Sequence, residues 1–414
     1  MQYIIHAPQH INATIQLPPS KSISNRALII HALSQGQILP DNLSDCDDTI
    51  VMLKTLAQMP EVIDIKAAGT AMRFMTAFLS VTRGEHVLTG TERMKLRPIG
   101  VLVEALRYLG AEITYEGEEG YPPLRIKGRP IEGGHLEVPG NISSQFISAL
   151  LMIGPVLQKG LELKLTDQII SRPYIELTLW TMREFGAIAE WTDVDTITVE
   201  PKPYAQRHYL IENDWTASSY WYEILALRAD PDSSLQLAGL MDGSKQGDSV
   251  VRYIFSLLGL KTVFKDKMQG VPTEVSLRCN PCTLSRLDYD FINSPDLAQT
   301  LIACCVGMDI PFRLTGLQSL KIKETDRMIA MRNELRKLGF VLHDQDDDIL
   351  IWDGERCEAT MEPIDTYEDH RMAMAFAPLA IRFPGLRIND PHVVTKSYPN
   401  FWNDLRAAGF SITE

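Results

Sequence analysis

Two kinds of helical pattern alternate along the chain. One kind is amphipathic and ends in an apolar-x-x-apolar-Gly motif that is followed at once by a strand-like run. The motif recurs every 70 to 80 residues in five copies, which end at Gly110, Gly186, Gly259, Gly339 and Gly409. A glycine just past an amphipathic helix is the usual left-handed cap. The pattern therefore predicts five surface helices, and an imperfect copy at 48–59, with Pro60 in the place of the glycine, predicts a sixth.

The second kind of helical pattern is apolar nearly all round and rich in Ala, Met, Phe and Ile, which is typical of buried helices. It recurs in register with the first kind, at 22–34, 68–80, 143–154, 217–228, 294–307 and 369–381. One buried helix, one surface helix and the strands between them thus form a repeat that occurs about six times. Three copies fill each half of the chain, and the division falls near Asn213. The pattern predicts an α/β protein of two domains.

Composition narrows the function classes. The 414 residues are 45% hydrophobic and 22% charged, as in an average soluble globular protein. A net charge of −13 argues against a general affinity for nucleic acid or an anionic membrane. No apolar run approaches the ~18 residues that span a bilayer, and the N-terminus lacks the basic region of a secretory signal. Six cysteines are too few for a disulfide scaffold, so we expect a cytoplasmic protein.

Cations lie at the starts of several buried helices. Lys21 and Arg26 flank the start of the first, Arg73 lies in the second, and His370 and Arg371 open the sixth. Such charges oppose the helix dipole, which favours anions at this end. Several together indicate that helix N–H groups and cations share an anionic ligand.

Each further polar feature has an ordinary structural explanation when it is taken singly. The serine pairs at 143–144 and 218–219 are good N-caps, and Asp296 at a helix start is a routine dipole partner. The segment 323–327 reads as a solvated first turn. Only their coincidence at equivalent places in the repeats indicates a site.

No motif predicts a metal or an organic cofactor. Nucleotide-binding glycine loops and the His-Glu-x-x-His zinc motif are absent from the sequence. Cys279 and Cys282 have CxxC spacing, but no second pair or nearby histidines complete a zinc site. We therefore expect neither a metal nor a cofactor.

Ten segments in a fixed order carry a family resemblance. They are PPSKSISNR (18–26), AGTAMR (68–73), LTG with RPIG (88–100), SSQF (143–146), ISRPY (170–174), KQGD (245–248), PD (295–296), KETDR (323–327), DHRMAM (369–374) and KSYP (396–399). With these segments the chain resembles the 5-enolpyruvylshikimate-3-phosphate synthases of the enolpyruvyl transferase family along essentially its whole length.

The resemblance implies two inside-out α/β barrel domains, each of three βαβαββ units. The N-terminal domain would span 17–213, and the C-terminal domain would comprise 1–16 and 214–414, with the active site in the cleft between them. It also implies a monomer.

The reaction implied by the resemblance joins shikimate 3-phosphate to phosphoenolpyruvate and releases phosphate through a tetrahedral intermediate, on the route to aromatic amino acids. Asp296 and Glu324 would be the acid–base residues, Asp296 for the proton of the 5-hydroxyl and Glu324 for the C3 methylene, with Lys21 a third participant. The sequence alone does not divide these roles. The family is a target of glyphosate, a mimic of phosphoenolpyruvate.

The substrate-binding residues are likewise carried over from the family. Shikimate 3-phosphate would be bound by Lys21, Ser22, Arg26, Ser143, Ser144, Gln145, Ser171, Tyr174, Asp296 and Lys323. Phosphoenolpyruvate would be bound by Lys21, Gly69, Arg97, Gln145, Arg327, Arg371 and Lys396.

The chain departs from the family pattern in its first repeat. Lys66-Ala67 stands where the family usually has Gly-Asn, Phe74 replaces a usual proline, and Ser319 replaces an asparagine of some members. The stretch between the surface helix at 48–59 and the buried helix at 68–80 is much shorter than in the family. We expect 62–65 to form a strand leading directly into that buried helix, in a unit that keeps two helices but has fewer strands.

Two alternatives remain open at this point. One is a UDP-N-acetylglucosamine enolpyruvyl transferase, which generally uses a cysteine on a mobile loop as proton donor. The other is a catalytically impaired binding homologue, which the abridged first repeat favours. A requirement for both substrates in an assay of phosphate release would discriminate the three interpretations.

Overall fold

The computed structural model describes residues 1–266, 268 and 270–414. The chain divides into two compact units: the N-terminal unit, Pro19–Ile211, and the C-terminal unit, which comprises Met1–Pro18 and Glu212–Glu414. Each unit has its own hydrophobic core. In the described ranges, no helix is both long and apolar enough to cross a membrane.

The α-helices alternate between buried and surface positions, apart from the short α4. In chain order they are α1 (Lys21–Leu33), α2 (Asp47–Gln58), α3 (Gly69–Val81), α4 (Glu92–Lys95), α5 (Gly100–Tyr108), α6 (Ser144–Ile153), α7 (Arg172–Glu184), α8 (Trp215–Arg228), α9 (Val251–Leu257), α10 (Ala298–Gly307), α11 (Arg327–Lys337), α12 (His370–Phe376) and α13 (Phe401–Ala407).

The strands are short. In chain order they are β1 (Gln2–His6), β2 (Asn12–Gln16), β3 (Val62–Asp64), β4 (Gly84–Thr89), β5 (Glu112–Tyr115), β6 (Leu124–Gly128), β7 (Gly134–Pro139), β8 (Leu161–Thr166), β9 (Ala189–Trp191), β10 (Thr196–Val199), β11 (Ser234–Met241), β12 (Leu260–Phe264), β13 (Pro272–Cys279), β14 (Leu287–Asp290), β15 (Phe312–Thr315), β16 (His343–Gln345), β17 (Ile349–Trp352), β18 (Leu386–Asn389) and β19 (Ser411–Thr413).

The N-terminal unit packs buried helices beside two mixed sheets. The sheets have the strand orders β3-β4-β6-β5 and β7-β8-β10-β9. In each sheet the first pair is parallel and the others are antiparallel. The helices α1, α3 and α6 pack against one another, and their side chains are largely buried. The three buried helices predicted for this half are confirmed.

The C-terminal unit repeats this arrangement with three sheets. Their strand orders are β12-β13-β11-β2, β14-β15-β17-β16 and β18-β1-β19. The helices α8 and α12 both pack against α10. The predicted buried helix at 294–307 begins as a 3-10 turn, Pro295–Leu297, before α10. The one predicted at 369–381 changes to a 3-10 turn, Ala377–Ile381, where Pro378 lacks the amide hydrogen that an α-helix requires.

The five predicted glycine caps are confirmed. The motif glycines all have left-handed φ angles, from 82° at Gly186 to 110° at Gly110. The sixth copy differs by one residue from its prediction. Met59, with φ at 42°, ends α2 in the left-handed conformation. Pro60 cannot take that place, because the proline ring fixes φ near −65°.

The first repeat keeps its helices without a sheet. Between Pro19 and Glu61, a stretch described without gaps, the structure contains α1 and α2 and no strand. An isolated bridge pairs Asp41 with Leu210. The strand β3 then pairs in parallel with β4 and leads into α3. The predictions of a short strand at this point and of an abridged unit with two helices are confirmed.

Candidate active site

Arg327 lies at the centre of a charged cluster in the C-terminal unit. Its side chain is 2% exposed, and its Nε donates to Asp369 Oδ2 at 2.7 Å. Its two terminal nitrogens donate to Asp296 Oδ1 at 3.1 Å and to Glu324 Oε2 at 2.9 Å. One guanidinium thus fixes three carboxylates, including both predicted acid–base residues.

Three further cations surround these carboxylates. Arg371 Nη2 lies 2.9 Å from Asp296 Oδ2, and Lys323 Nζ lies 3.6 Å from Asp296 Oδ1. Lys396 Nζ lies 2.8 Å from Glu324 Oε1. The structure therefore brings together all six residues that the sequence placed in this half.

The starts of helices and 3-10 turns position this cluster. Asp296 belongs to the 3-10 turn before α10, and Lys396 ends the 3-10 turn Pro391–Lys396. Asp326 caps α11 by accepting the amide hydrogens of Met328 and Ile329, each at 3.1 Å. The cap directs Arg327, the first residue of that helix, into the cluster.

Sequence reasoning missed two groups in this cluster. Asp369 caps α12 by accepting the Arg371 amide hydrogen at 2.9 Å, and it also holds Arg327. Its place at a helix start, within a segment that carries the family resemblance, was the available signal. Tyr220 is buried on α8, and its hydroxyl accepts a hydrogen bond from Arg371 Nη1 at 3.3 Å.

The cations control the ionisation of Asp296. Burial acts to raise its pKa, but the charges of Arg371 and Lys323 outweigh burial, and the pKa lies well below its usual value. Asp296 is therefore ionised at neutral pH. Burial chiefly lowers the pKa of Lys323, although Asp296 opposes that effect. The buried Asp248 has a pKa raised to about 6 by burial and by the charge of Asp296.

In the N-terminal unit, Lys21 and Ser22 begin α1. Ser20 caps this helix by accepting the Ile23 amide hydrogen at 3.4 Å. Lys21 Nζ lies 3.5 Å from the buried carboxylate of Asp48, which belongs to the first turn of α2. Asp48 was not among the predicted site residues.

Gly69 and Arg97 form a second cationic feature of this unit. A Cβ atom at Gly69 would lie 2.6 Å from Arg97 Nη1, so the guanidinium packs directly on the start of α3. The N-cap residue of that helix, Ala68, makes no side-chain hydrogen bond to its first amide groups. Arg97 is buried, and its Nε has no hydrogen-bond partner in the part of the chain that the structure describes. A helix start and a cation therefore coincide, an arrangement that suits an anion.

The predicted polar residues of α6 and α7 lie at the starts of these helices. Ser143 caps α6 through the Gln145 amide hydrogen at 3.4 Å, and Ser144 begins that helix. Gln145 Nε2 donates to Thr70 Oγ1 on α3 at 3.2 Å. Ser171, with φ at 53°, precedes α7, which contains Tyr174.

Arg26 already has several partners inside the N-terminal unit. Its Nε donates to Thr178 Oγ1 at 2.7 Å, and its terminal nitrogens donate to the Ser22 carbonyl at 2.8 Å and to Ser148 Oγ at 3.1 Å. Burial lowers its pKa to about 10. Its assignment to shikimate 3-phosphate stays a prediction, and the structure adds a role in joining α1 to α6 and α7.

The described residues contain no cluster of three or more His, Cys, Asp or Glu side chains that could hold a metal ion. The two thiols of the CxxC segment are directed to different helices. Cys279 Sγ donates to the Leu225 carbonyl at 3.4 Å, and Cys282 Sγ donates to the Leu257 carbonyl at 3.7 Å.

The repeated α/β modules, with cations at the starts of buried helices, match the enolpyruvyl transferase fold that the resemblance implies. Two solved structures of EPSP synthase from Acinetobacter baumannii share this fold, each with a TM-score of 0.78, 20% identity and full coverage of both chains. A family model described as EPSP synthase (3-phosphoshikimate 1-carboxyvinyltransferase) matches residues 5–63 and 57–405. The chain belongs to the EPSP synthase family.

Relatives named 3-phosphoshikimate 1-carboxyvinyltransferase support this membership. One from Bacteroides fragilis is 57% identical over 413 residues, which cover 100% of this chain and 99% of the relative. One from Shewanella halifaxensis is 33% identical over 428 residues, which cover 96% and 97%. The predicted family and fold class are confirmed.

Proposed function

We propose that this protein transfers the enolpyruvyl group of phosphoenolpyruvate to the 5-hydroxyl of shikimate 3-phosphate and releases phosphate. This step belongs to the shikimate pathway, which leads to the aromatic amino acids. The observation that carries the proposal is the charged cluster centred on Arg327, in which cations hold two carboxylates at one place. Two anionic substrates and two proton transfers require this combination. The 57% identity to a 3-phosphoshikimate 1-carboxyvinyltransferase supports it.

Phosphoenolpyruvate would be bound through its phosphate and carboxylate groups. We assign Lys21, Gly69, Arg97, Gln145, Arg327, Arg371 and Lys396 to it. The start of α3 supplies backbone N–H groups, because its N-cap residue, Ala68, makes no side-chain hydrogen bond to them, and Arg97 supplies a charge beside them. An anion at this place would satisfy both.

Shikimate 3-phosphate would be bound by a mainly polar set, which in the N-terminal unit comes from three helix starts. We assign Lys21, Ser22, Arg26, Ser143, Ser144, Gln145, Ser171, Tyr174, Asp296 and Lys323 to it. The side chains of Ser22, Ser143 and Gln145 are only partly buried. Hydroxyl and amide groups at such positions suit the hydroxyls and phosphate of the sugar-like acceptor.

Asp296 is suited to accept the proton of the 5-hydroxyl, because its ionised form is favoured. The hydroxyl oxygen then adds to C2 of phosphoenolpyruvate while C3 gains a proton. In the second step C3 loses a proton, the C–O bond to phosphate breaks and the enol ether forms. We assign the C3 proton transfers to Glu324, which Lys396 and Arg327 hold in place, with Lys21 as a third participant.

Substrate binding would also raise the pKa of Asp296. The cations that lower its pKa, Arg371 and Lys323, are ones that we assign to the anionic substrates. When a phosphate or carboxylate pairs with them, part of their effect on Asp296 is lost and its pKa rises. The residue then becomes a stronger base when substrate is present.

An assay of phosphate release tests this function. We expect release only when shikimate 3-phosphate and phosphoenolpyruvate are both present. UDP-N-acetylglucosamine in place of shikimate 3-phosphate is the matched control, and we expect no release with it. Absence of phosphate release with both proposed substrates would contradict the function and favour the impaired binding homologue.

We also propose that the enzyme acts as a monomer in the cytoplasm, without a metal, cofactor, membrane or nucleic acid partner. The net charge of −13 supports the exclusion of nucleic acid and anionic membranes. Light scattering of the purified protein tests the monomer, and cell fractionation tests the location. A stable dimer or a membrane-bound fraction would contradict this proposal.

A further inference from the structure

The loop that carries Lys323 and Glu324 is held by a neighbouring hairpin. It follows a 3-10 turn, Gln318–Ile322, and precedes α11. Leu317 and Leu320, which are at most 1% exposed, anchor the turn in the hydrophobic core of the C-terminal unit. These apolar contacts set the depth of the turn in the core, but they do not fix the direction of its first residues.

The side chain of Asp348 makes the hydrogen bonds that orient the start of this turn. Its Oδ1 accepts the amide hydrogen of Leu317 at 2.7 Å and that of Gln318 at 3.2 Å. These are the residues at which the 3-10 turn begins, so the carboxylate acts as an N-cap delivered from another element. A negative charge at this end also suits the dipole of the turn.

The hairpin gives Asp348 a fixed position. The strands β16 and β17 are joined by residues 346–348, and the φ angles of Asp346 and Asp347 are 53° and 60°. Two successive left-handed residues form the tight turn that matches the twist of paired strands. Asp348 is the first residue after them, and its amide donates to the Gln345 carbonyl at 3.3 Å. Asp347 also pairs with Lys321 of the 3-10 turn.

The geometry points to Asp348 as a positioning residue for the reaction: through the 3-10 turn it holds Lys323 and Glu324 where Asp296 and Arg327 meet them. This inference rests on the proposed function. Asp348 contacts none of the assigned substrate-binding groups in its described hydrogen bonds. Its effect on turnover is therefore indirect, and it is distinct from an acid–base role.

The test compares three variants of the full chain. D348A removes the side-chain acceptor, so Gln318 loses this hydrogen bond and Leu317 keeps only the one to the backbone carbonyl of residue 348 at 3.2 Å. D348N keeps an oxygen that can accept both amide hydrogens. D346N is the matched control, because it removes one charge from the same turn, and the side chain of Asp346 accepts from Gln345 Nε2 at 3.2 Å and not from the 3-10 turn in the hydrogen bonds of the described residues. Asparagine also tolerates the left-handed conformation there.

We expect kcat of D348A to fall by about tenfold to a hundredfold, as for a misplacement of catalytic groups of about 1 Å. The KM for shikimate 3-phosphate should rise, because Lys323 moves, while the KM for phosphoenolpyruvate changes less. D348N should recover most of kcat, and D346N should match wild type. Hydrogen exchange should be faster in D348A at 317–322 and unchanged in α11.

A D348A variant with wild-type kcat, or with unchanged exchange at 317–322, would overturn the inference. If D348A does not fold, a fourth variant, D348S, decides by exchange, because its single shorter hydroxyl lies too far back to accept both amide hydrogens. Faster exchange at Gln318 in D348S than in D346N supports the inference, and equal exchange overturns it. A wild-type protein that releases no phosphate would contradict the proposed function instead, and the exchange measurement would still report on the turn.

Discussion

Gly69 leaves room for the guanidinium of Arg97 at the start of α3. Filling this space should weaken the binding of phosphoenolpyruvate and leave the binding of shikimate 3-phosphate unchanged. In a Gly69→Ala variant the new Cβ would lie 2.6 Å from Arg97 Nη1 and 3.0 Å from both Cζ and Nη2. An ordinary contact begins near 3.4 Å, so the guanidinium must retreat by roughly 0.8 Å. The backbone of Gly69 is helical, and alanine fits it without strain.

The Gly69→Ala substitution should weaken ligand binding and should hardly change the free energy of unfolding. Arg97 is a long side chain whose far end can move, and alanine is a better helix former than glycine by up to about 1 kcal/mol. The free energy of unfolding should therefore change by no more than that amount. Displacing a charge-assisted hydrogen bond to a ligand costs about 1.5–3 kcal/mol. That loss corresponds to about a tenfold to hundredfold rise in the KM for phosphoenolpyruvate.

Steady-state phosphate release under varied phosphoenolpyruvate measures this effect directly. The KM for shikimate 3-phosphate should stay within about twofold of wild type, because the charged groups assigned to it are untouched. Gly117→Ala is the matched control, since the nearest atom that a Cβ there meets among the described residues is Pro123 Cδ, at an ordinary 3.8 Å. A Gly69→Ala enzyme with a wild-type KM for phosphoenolpyruvate would refute the placement of Arg97 in this subsite.

The helices could be predicted because their signals are local. The motif glycines and the apolar faces report the conformation of residues within one or two turns. The same locality explains the one-residue error at Pro60, where the left-handed residue had to move to Met59. The short strand β3 could also be predicted, because a β-prone run immediately before a buried helix leaves little alternative.

Contacts between distant segments could not be predicted from spacing. Asp369 and Arg327 are 42 residues apart, and Asp348 and Leu317 are 31 residues apart. Apart from the family resemblance of the segment that contains Asp369, the local sequence does not distinguish these aspartates from ordinary solvated caps. Arg26 shows what a cation beside a helix start leaves open, since Thr178 and other groups of the N-terminal unit also bind it, and its role toward a ligand stays a prediction.

Four further predictions follow from individual contacts. Glu324→Gln and Asp296→Asn should each lower kcat by about a hundredfold or more with small changes in KM, as for lost acid–base groups; near-normal turnover in either would contradict its role. Arg26→Ala should weaken binding of shikimate 3-phosphate in calorimetry, and it should also lower the free energy of unfolding because the polar partners of its buried guanidinium lose their donor; unchanged affinity would leave Arg26 a purely structural role. Ala67→Asn should lower the KM for phosphoenolpyruvate, since the variant regains the side-chain amide that the family usually has two residues before Gly69; no change would mean that another group takes its place.

The fourth prediction concerns Glu223 on α8, which is fully buried and has no hydrogen-bond partner among the described residues. Burial raises its pKa well above the usual 4.5 in the folded state, so the folded protein holds a proton that the unfolded chain releases. The stabilisation that this proton gives the folded state is fully present below pH 4.5. It is lost as the pH rises toward the pKa of Glu223 in the folded protein. Relative to wild type, Glu223→Gln should therefore lose less unfolding free energy between pH 5 and 8, by up to about 1.4 kcal/mol per pH unit. Denaturant titrations across that range measure the difference, and parallel curves for the two proteins would show that Glu223 is ionised in the folded state.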